Sequence, residues 1–547
     1  MRRIYNILSV ILGGMFLFSC SDQLEISPLT SLDDKMMWSS ESNAMLALTG
    51  CYRGNIPYNN TGFETDWCSY SGLIFLEFTT DNAFDRRATT TGNSTLHKLS
   101  DGTLNSSNGS IKNYWVNSYS KIARCNVFIE NIDKVPASQE VLDRMKSEAR
   151  FLRAVQYFYL SQFFQDVPLV TKSLTKEEAN IVEKSTKAAI TQFIVSELTE
   201  IAPLLPRHAD IAPSEEGRAS RQAALAFLGR TYLGAYDYEN AANAFKQIID
   251  LGDNIIDPNY QTIFFPSNEN SDEIIFSTQY LEDIAGNALP QHAYPAIAQG
   301  WHLVCPLGSL FEAYEFTDGT RFSYTSPLYD PKDLSKNRDP RLGYTLLWDQ
   351  TYFKGKKYVC HPDSTKSVDQ LGAGKQTTYT GFGLRKFFDE SYSGSLYYYG
   401  ANVPIIRYAE VLLSYLEAVL ESGQPITQSL LDETINKVRG RATVNMPPVT
   451  ETDPVRLREI LRRERRVELA LEGQRYWDLL RWKVADQVLK GDFYGAPFPG
   501  AKNMRKKNGI TDPYDRWFVI TRNFRNPNDY KWPIPQSEQD INPNLRD

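Results

Sequence analysis

The chain has few of the residues that build metal centres and nucleophilic active sites. Its 547 residues include five histidines and six cysteines, and neither an H-E-x-x-H nor a C-x-x-C motif occurs, so the common zinc-binding patterns are absent. It also lacks G-x-S-x-G, G-x-x-x-x-G-K-[ST] and G-x-G-x-x-G, the motifs of hydrolases and of phosphate and dinucleotide binding. His292 and His302 could bind a metal together, but a polar loop role is favoured. We predict no catalytic residue, no metal site and no cofactor.

Excess positive charge and long apolar runs are absent as well. The formal net charge is −7, which disfavours nucleic acid as a partner. The apolar run at residues 7–18 follows Arg2 and Arg3 and is shorter than the roughly 20 residues needed to span a bilayer. Residues 1–19 are therefore predicted to form a secretory signal peptide.

The apolar run leads into a cysteine that predicts a lipid anchor. Leu17, Phe18, Ser19 and Cys20 resemble a bacterial lipobox, from which Phe18 departs because that position usually holds a small residue. Acyl chains such as palmitate on Cys20 would hold the protein stably on a membrane; an unmodified cysteine is the alternative. Residues 21–25, which include Asp22 and Glu25, are similar to the acidic tract that directs lipoproteins of Bacteroidetes-type bacteria to the cell surface. The predicted location is the outer membrane, lipid-anchored and surface-exposed.

Few cysteines remain to cross-link the exported chain. The five that follow the anchor form no recognisable disulfide or zinc framework: they are Cys51, Cys68, Cys125, Cys305 and Cys360. A Cys51–Cys68 bridge is conceivable, but buried thiols without bridges are the favoured interpretation.

What the sequence does contain is helical periodicity and aromatic residues, which make up 12% of the chain. Leu228, Gly229, Tyr232, Ala241 and Phe245 reproduce the spacing of a tetratricopeptide-type helix pair, in which small residues let two helices approach. Such repeats need neighbours to bury their faces, and we expect those neighbours at residues 111–132, 146–164, 187–205 and 406–421. The predicted fold is mainly α, a tetratricopeptide-like scaffold with a loop-rich irregular part.

Two loop segments meet the chemical demands of sugar binding. Sugars offer apolar faces to aromatic rings and hydroxyl groups to polar side chains, and both segments mix the two kinds of residue. The early segment contributes the candidates Trp67, Tyr70, Asp81, Asn82 and Arg86, and the mid-chain segment contributes Tyr294, Trp301 and His302. Loop packing, or capping of a turn by Asp81 and Asn82, is the alternative role for these residues.

A charged segment near the C-terminus carries the most specific pattern. Residues 462–482 combine arginines, glutamates, aromatic rings and one glycine. Helical spacing allows local pairs of Glu459 with Arg462 or Arg463, and of Arg465 with Glu468. We expect its charges to be solvated or internally paired. We expect Gly473 to end the first helix or to allow a close approach.

This segment resembles the signature of the SusD/RagB family of outer-membrane nutrient-binding lipoproteins. The matched residues are Glu464, Glu468, Leu469, Glu472, Gly473, Arg475, Asp478, Leu479, Arg481 and Trp482. Further family-like landmarks occur at residues 147–154, 166–169, 403–413, 436–442 and 532–544, so the resemblance covers nearly the whole chain. It divides the chain into a signal peptide (1–19), an N-terminal SusD-like region (20–233) and a C-terminal RagB/SusD domain (272–547).

The resemblance implies binding without catalysis. A member of this family captures oligosaccharides or polysaccharides, or less often peptides, and delivers them to a SusC-type TonB-dependent transporter. Its ligand face is assembled from an early loop and a mid-chain loop, in agreement with the two candidate segments. A structural lipoprotein that scaffolds an outer-membrane complex is the alternative of another class. A glycoside hydrolase, which needs only two suitably spaced carboxylates, is the enzymatic alternative.

Overall fold

A computed structural model describes residues 34–53, 66–89, 95–372, 374 and 376–546. The predicted signal peptide (1–19) and the predicted lipid-bearing Cys20 lie outside these residues. Within the described part of the chain, no helix combines the length and apolar character needed to cross a membrane.

Most of the regular structure is helical. In chain order the helices are α1 (Asp34–Met37), α2 (Glu41–Tyr52), α3 (Tyr70–Leu73), α4 (Gly109–Asn131), α5 (Gln139–Phe163), α6 (Lys176–Ala179), α7 (Lys187–Ile201), α8 (Arg221–Gly234), α9 (Tyr238–Leu251), α10 (Leu289–Ala293), α11 (Gly308–Ala313), α12 (Arg341–Thr345), α13 (Tyr408–Glu421), α14 (Gln428–Glu433), α15 (Ile435–Arg439), α16 (Pro454–Glu468), α17 (Arg475–Arg481), α18 (Ala485–Val488) and α19 (Gln536–Ile541).

The strands are short and pair two by two. They are β1 (Ala83–Asp85), β2 (Ile274–Thr278), β3 (Val304–Pro306), β4 (Leu346–Leu347), β5 (Tyr352–Phe353), β6 (Lys356–Lys357), β7 (Gly383–Leu384), β8 (Val403–Arg407), β9 (Lys490–Pro497) and β10 (Arg516–Asn523). The antiparallel pairs are β1 with β3, β2 with β8, β4 with β7, β5 with β6 and β9 with β10.

The longer helices form a continuous stack. Each contacts the next in the order α4, α5, α7, α8, α9, α13 and α16, as expected when helical repeats bury one another's faces. Side-chain caps fix where helices begin: Ser220 accepts a hydrogen bond from the Ala223 amide at α8, and Asp453 accepts one from the Arg456 amide at α16, as at many helix N-termini. The predicted mainly α, tetratricopeptide-like scaffold and its stacking partners are confirmed.

The predicted helix pair is α8 and α9, and it packs as its spacing indicated. A Cβ atom at Gly229 would meet the ring of Phe245 at 2.6–2.8 Å, closer than side chains approach. The absence of a side chain at Gly229 therefore lets α9 place this ring directly against α8.

The charges of the C-terminal signature segment are buried and paired over long sequence distances. Glu468 is fully buried and accepts hydrogen bonds from Arg341 at 3.0 Å, Arg407 at 3.1 Å and Arg441 at 2.9 Å. Arg407 also pairs with Glu472 at 2.7 Å. These contacts tie α16 to α12, to β8 and to the segment after α15.

The local pairs predicted within the signature helix are wrong. Glu459 pairs with Arg321, and Arg465 pairs with Asp478 and Glu410. One side of α16 is buried against neighbouring elements, so its buried charged groups find partners on those elements rather than along their own helix.

Gly473 provides the predicted close approach. Helix α16 ends earlier, at Glu468, while Gly473 adopts a left-handed backbone with φ +80°. A Cβ atom there would meet the Leu73 backbone carbonyl at 2.6 Å, and its amide donates to the Glu77 carboxylate at 2.9 Å. The signature segment is thereby fixed against the early part of the chain.

The five described cysteines carry no disulfide. Four of them, Cys51, Cys125, Cys305 and Cys360, are buried and Cys68 is half-buried. The favoured interpretation, thiols without bridges, is confirmed, and the Cys51–Cys68 bridge does not form.

Removing one carboxylate from the buried network should destabilise the fold strongly. Glu468→Gln removes the negative charge that three buried guanidinium groups share. Removing one partner of a buried ion pair costs about 3–5 kcal/mol. The measurement is the free energy of unfolding from urea denaturation. The matched control is Glu459→Gln. The side chains of Glu459 and of its partner Arg321 are each 62% exposed, so we expect this variant to lose less than about 1 kcal/mol of unfolding free energy. Equal losses would contradict the structural role of the network.

The buried ion pairs also predict loss of stability in acid. Burial raises the pKa of Glu417, but Arg481, whose guanidinium donates to it at 2.6 and 2.7 Å, outweighs burial and lowers that pKa from 4.5 to about 2. The ionised carboxylate therefore stabilises the folded chain fully above pH 4.5, and this contribution is lost as pH falls through about 2. The thermal unfolding midpoint should drop as pH falls through this range, and Glu417→Gln should make the midpoint depend less steeply on pH. An equally steep dependence in the variant would show that Glu417 is not the group responsible.

Candidate functional site

The β1–β3 pair brings the two predicted ligand segments together. Asp85 pairs with Val304 in this antiparallel ladder, and beyond it the Arg86 amide donates to the Leu303 carbonyl at 3.1 Å. The Arg86 guanidinium then donates through Nε to the Trp301 carbonyl at 3.0 Å. The early and mid-chain segments therefore meet at Arg86 and Trp301.

Trp301 lies half-buried on this junction beside two other rings. Its ring centroid is 5.2 Å from that of His292 and 6.3 Å from that of Tyr397, which stands nearly perpendicular at 77°. Tyr397 is 39% exposed, and the neighbouring Gln299 is exposed as well. We call Trp301, Tyr397, Gln299 and Arg86 the Trp301 face. An aromatic corner with amide and guanidinium groups beside it can stack a sugar ring and bind its hydroxyl groups.

The support beneath Trp301 is buried and hydrogen-bonded. His292 is fully buried, and its Nδ1 shares a hydrogen bond with the Tyr70 hydroxyl at 3.2 Å. The Trp301 amide donates to the Gln291 carbonyl at 2.7 Å. Tyr70 itself is only 6% exposed, so the structure places this predicted ligand residue beneath the face, as a support.

The loop that carries Trp301 is fixed by a buried carboxylate. Asp369 accepts hydrogen bonds from the Ala296 amide at 2.7 Å and the Ile297 amide at 3.1 Å. Burial raises the pKa of Asp369 to about 6, although these amide hydrogen bonds oppose the shift. At Gly300 a Cβ atom would collide with the Tyr294 carbonyl, so the loop requires glycine at this point.

Trp67 lies in the core, away from the Trp301 face. It is fully buried and stacks on Tyr114 at 4.0 Å, Tyr159 at 4.9 Å and Phe163 at 5.1 Å between ring centroids, while its Nε1 donates to the Ser118 hydroxyl at 2.8 Å. The structure therefore corrects its predicted role: no face of the ring is available to a ligand.

Asp81 and Asn82 bind the signature segment instead of solvent. Both are buried. The Asp81 carboxylate pairs with Arg466 and Arg475 at 2.9 Å, and Asn82 accepts from Arg466 at 2.8 Å and donates to Glu77 at 2.9 Å. Burial raises the pKa of Asp81, but the two arginines outweigh it and leave that pKa at about 2. Their predicted ligand role is corrected, because every polar group has an internal partner.

Tyr294 and His302 are also internal. Tyr294 is fully buried between Phe353 at 4.9 Å and Phe388 at 4.7 Å. His302 is fully buried, and burial lowers its pKa to about 3, so its ring is neutral. Both were predicted ligand residues, and both instead shape the loop around Trp301. Among the described residues no cluster of three or more His, Cys, Asp or Glu side chains could hold a metal.

Sequence reasoning missed Tyr397 and the supporting role of His292. Tyr397 belongs to a run of three tyrosines, residues 397–399, and only its exposure beside Trp301 distinguishes it from Tyr399, which is fully buried. The run itself was the only signal that the sequence offered.

Two protein-family models match the chain. The model described as the SusD family matches residues 263–547, more than half of the chain. The chain belongs to the SusD family. A second model, described as starch-binding and associating with the outer membrane, matches residues 69–233.

SusD-like proteins resemble the chain over almost its whole length. A solved SusD-like carbohydrate-binding protein of Bacteroides fragilis is 50% identical with a TM-score of 0.90, covering 93% of this chain and 100% of that one. The SusD-like protein P25 of Formosa agariphila is 25% identical over 99% of this chain and 98% of its own length. Surface glycan-binding protein A from Bacteroides thetaiotaomicron, solved with laminarihexaose, shares the fold at 22% identity and a TM-score of 0.66, covering 92% of this chain and 98% of that one.

Removing the Asp369 carboxylate should loosen the Trp301 loop without unfolding the chain. Asp369→Ala leaves two loop amides without their acceptor, and each lost buried hydrogen bond costs about 1–3 kcal/mol. Hydrogen exchange at residues 294–301 should become faster. The control is Asp330→Ala, which removes a carboxylate paired with the exposed Lys336 and should leave exchange in the loop unchanged. Exchange that stays slow in Asp369→Ala would contradict this role.

Proposed function

We propose that the chain is a surface lipoprotein that binds nutrient glycans through the Trp301 face. The observation that carries this proposal is the half-buried Trp301 ring, set at an angle to the exposed Tyr397, together with the Arg86 guanidinium, which donates to the Trp301 backbone carbonyl at 3.0 Å. The support beneath this ring is buried and hydrogen-bonded, so a sugar ring would meet a preformed surface with little ordering cost.

The related proteins support a carbohydrate as the ligand class. The B. fragilis relative at 50% identity is described as carbohydrate-binding, and a B. thetaiotaomicron relative at 23% identity is named starch-binding protein SusD. Peptides are the alternative ligand. We propose binding and release without bond cleavage, since the exposed groups of the Trp301 face are an indole, a phenol, an amide and a guanidinium, none of which is a carboxylic acid.

The remaining parts of the proposal concern location and partner. We propose a lipid anchor at Cys20 after removal of residues 1–19, an outer-membrane location facing outward, and delivery of the glycan to a SusC-type TonB-dependent transporter. We also propose that residues 20–233 and 272–547 form the N-terminal and C-terminal parts. Support comes from membership of the SusD family and from the second family description, which names association with the outer membrane.

Replacing Trp301 should weaken glycan binding selectively. The experiment screens the protein against a glycan array and a peptide panel, and then measures affinity for the strongest ligand by calorimetry. Trp301→Ala removes the stacking surface, and we expect a loss of about 2 kcal/mol, roughly 30-fold in Kd. The matched control is Tyr352→Ala, because Tyr352 is 60% exposed and lies outside the Trp301 face.

Three outcomes would change the proposal. Unchanged affinity in Trp301→Ala removes the Trp301 face from the site. Binding confined to peptides favours the peptide alternative. Co-purification with a membrane barrel, together with no binding to any glycan or peptide, favours a structural lipoprotein.

A further inference from the structure

A second concave site lies where the scaffold helices meet the signature segment. It is a cavity of about 270 Å³ at the C-terminal ends of α5 and α8, the first turn of α7 and the last turn of α17. None of its lining residues belongs to the Trp301 face. Its volume approaches that of small-ligand pockets, which begin at about 300 Å³, and is suited to one sugar residue.

The charge of this cavity is one-sided. Its lining includes Lys187, Arg481 and Lys483 but no aspartate or glutamate, although the chain as a whole has formal charge −7. Arg481 is neutralised by bonds to Glu417 at 2.6 and 2.7 Å and to Asp478 at 2.8 Å. The two lysines therefore give the cavity lining its net positive charge.

Neither lysine ammonium forms an ion pair within 4.0 Å with any residue that the structure describes. The nearby Asp166 carboxylate instead accepts a hydrogen bond from the Lys187 backbone amide at 2.8 Å, at the start of α7. Burial lowers the pKa of Lys187; Asp166 opposes this shift, and the charge of Lys483 adds to it. Two ammonium groups that line one cavity favour an anion placed between them.

One wall of the cavity is an exposed aromatic ring. Tyr236 is 44% exposed, and the Lys483 ammonium lies 5.0 Å from its ring centroid. Tyr236, Lys483 and the lining residue Gln165 have φ values of +62°, +54° and +67°, a left-handed backbone that is unfavourable for residues other than glycine. Such strain is often found at ligand sites. Gln165 also contributes an amide group to the lining.

We infer that this cavity binds the carboxylate-bearing sugar residue of an acidic glycan. The carboxylate lies between the Lys187 and Lys483 ammonium groups, and the sugar ring packs against Tyr236. This site goes beyond the glycan binding proposed for the Trp301 face, because it lies on other elements and selects for negative charge.

The test uses methyl α-D-galacturonate and methyl α-D-galactoside, two sugars that differ only in whether C6 is a carboxylate or a hydroxymethyl group. Saturation-transfer NMR on the purified full chain should show binding of the galacturonate and little binding of the galactoside. Lys187→Gln with Lys483→Gln removes both ammonium groups and the charged hydrogen bonds they donate, so the galacturonate affinity should fall at least about tenfold. Tyr236→Ala should also weaken binding, through loss of the ring.

The matched control is Lys112→Gln with Lys502→Gln, which removes the same charge at two exposed positions outside the cavity lining. Trp301→Ala distinguishes the two sites, since it should leave the galacturonate signal unchanged whether or not the Trp301 face binds glycans. Equal signals from both sugars, or unchanged galacturonate affinity in the double lysine variant, would overturn the inference. If equimolar sulfate displaces the galacturonate completely and Tyr236→Ala has no effect on binding, the cavity is a simple anion site. That result would also overturn the inference.

Discussion

The buried ion network around Glu468 holds the structure together. One carboxylate binds Arg341, Arg407 and Arg441, which lie on three separate parts of the chain. Charges withdrawn from water are costly unless each has a partner, so a network of this kind tolerates few alternative arrangements. It fixes how the C-terminal half packs on the helical scaffold.

The network also extends to the candidate ligand site. Arg466 and Arg475, on either side of Gly473, bind the Asp81 carboxylate. Asp81 lies two residues before the start of β1, and β1 pairs with β3, which leads back along the chain to Trp301. The signature segment thereby anchors the strand pair on which the Trp301 face is built.

Local patterns predicted the scaffold well and the ligand residues poorly. Gly229 and Phe245 predicted a close helix pair because their spacing reflects a contact between neighbouring helices. Trp67, Tyr294 and His302 lie in polar, loop-like sequence that suggested exposure, yet each is fully buried. Asp81 and Asn82 similarly looked like free polar groups, and their arginine partners are separated from them by more than 380 residues. Burial of a loop residue depends on distant segments that no local window contains.

The sequence by itself determined the family, the helical scaffold and the absence of common catalytic motifs, because these follow from spacing and residue type. Only the tertiary structure decided which aromatic residues remain exposed, since Tyr397 and Tyr399 are chemically identical and differ only in what packs over them. It likewise decided that Lys187 and Lys483 share one cavity. Proximity between residues distant in the chain is set by the packing of whole elements, and the sequence pattern does not carry that information.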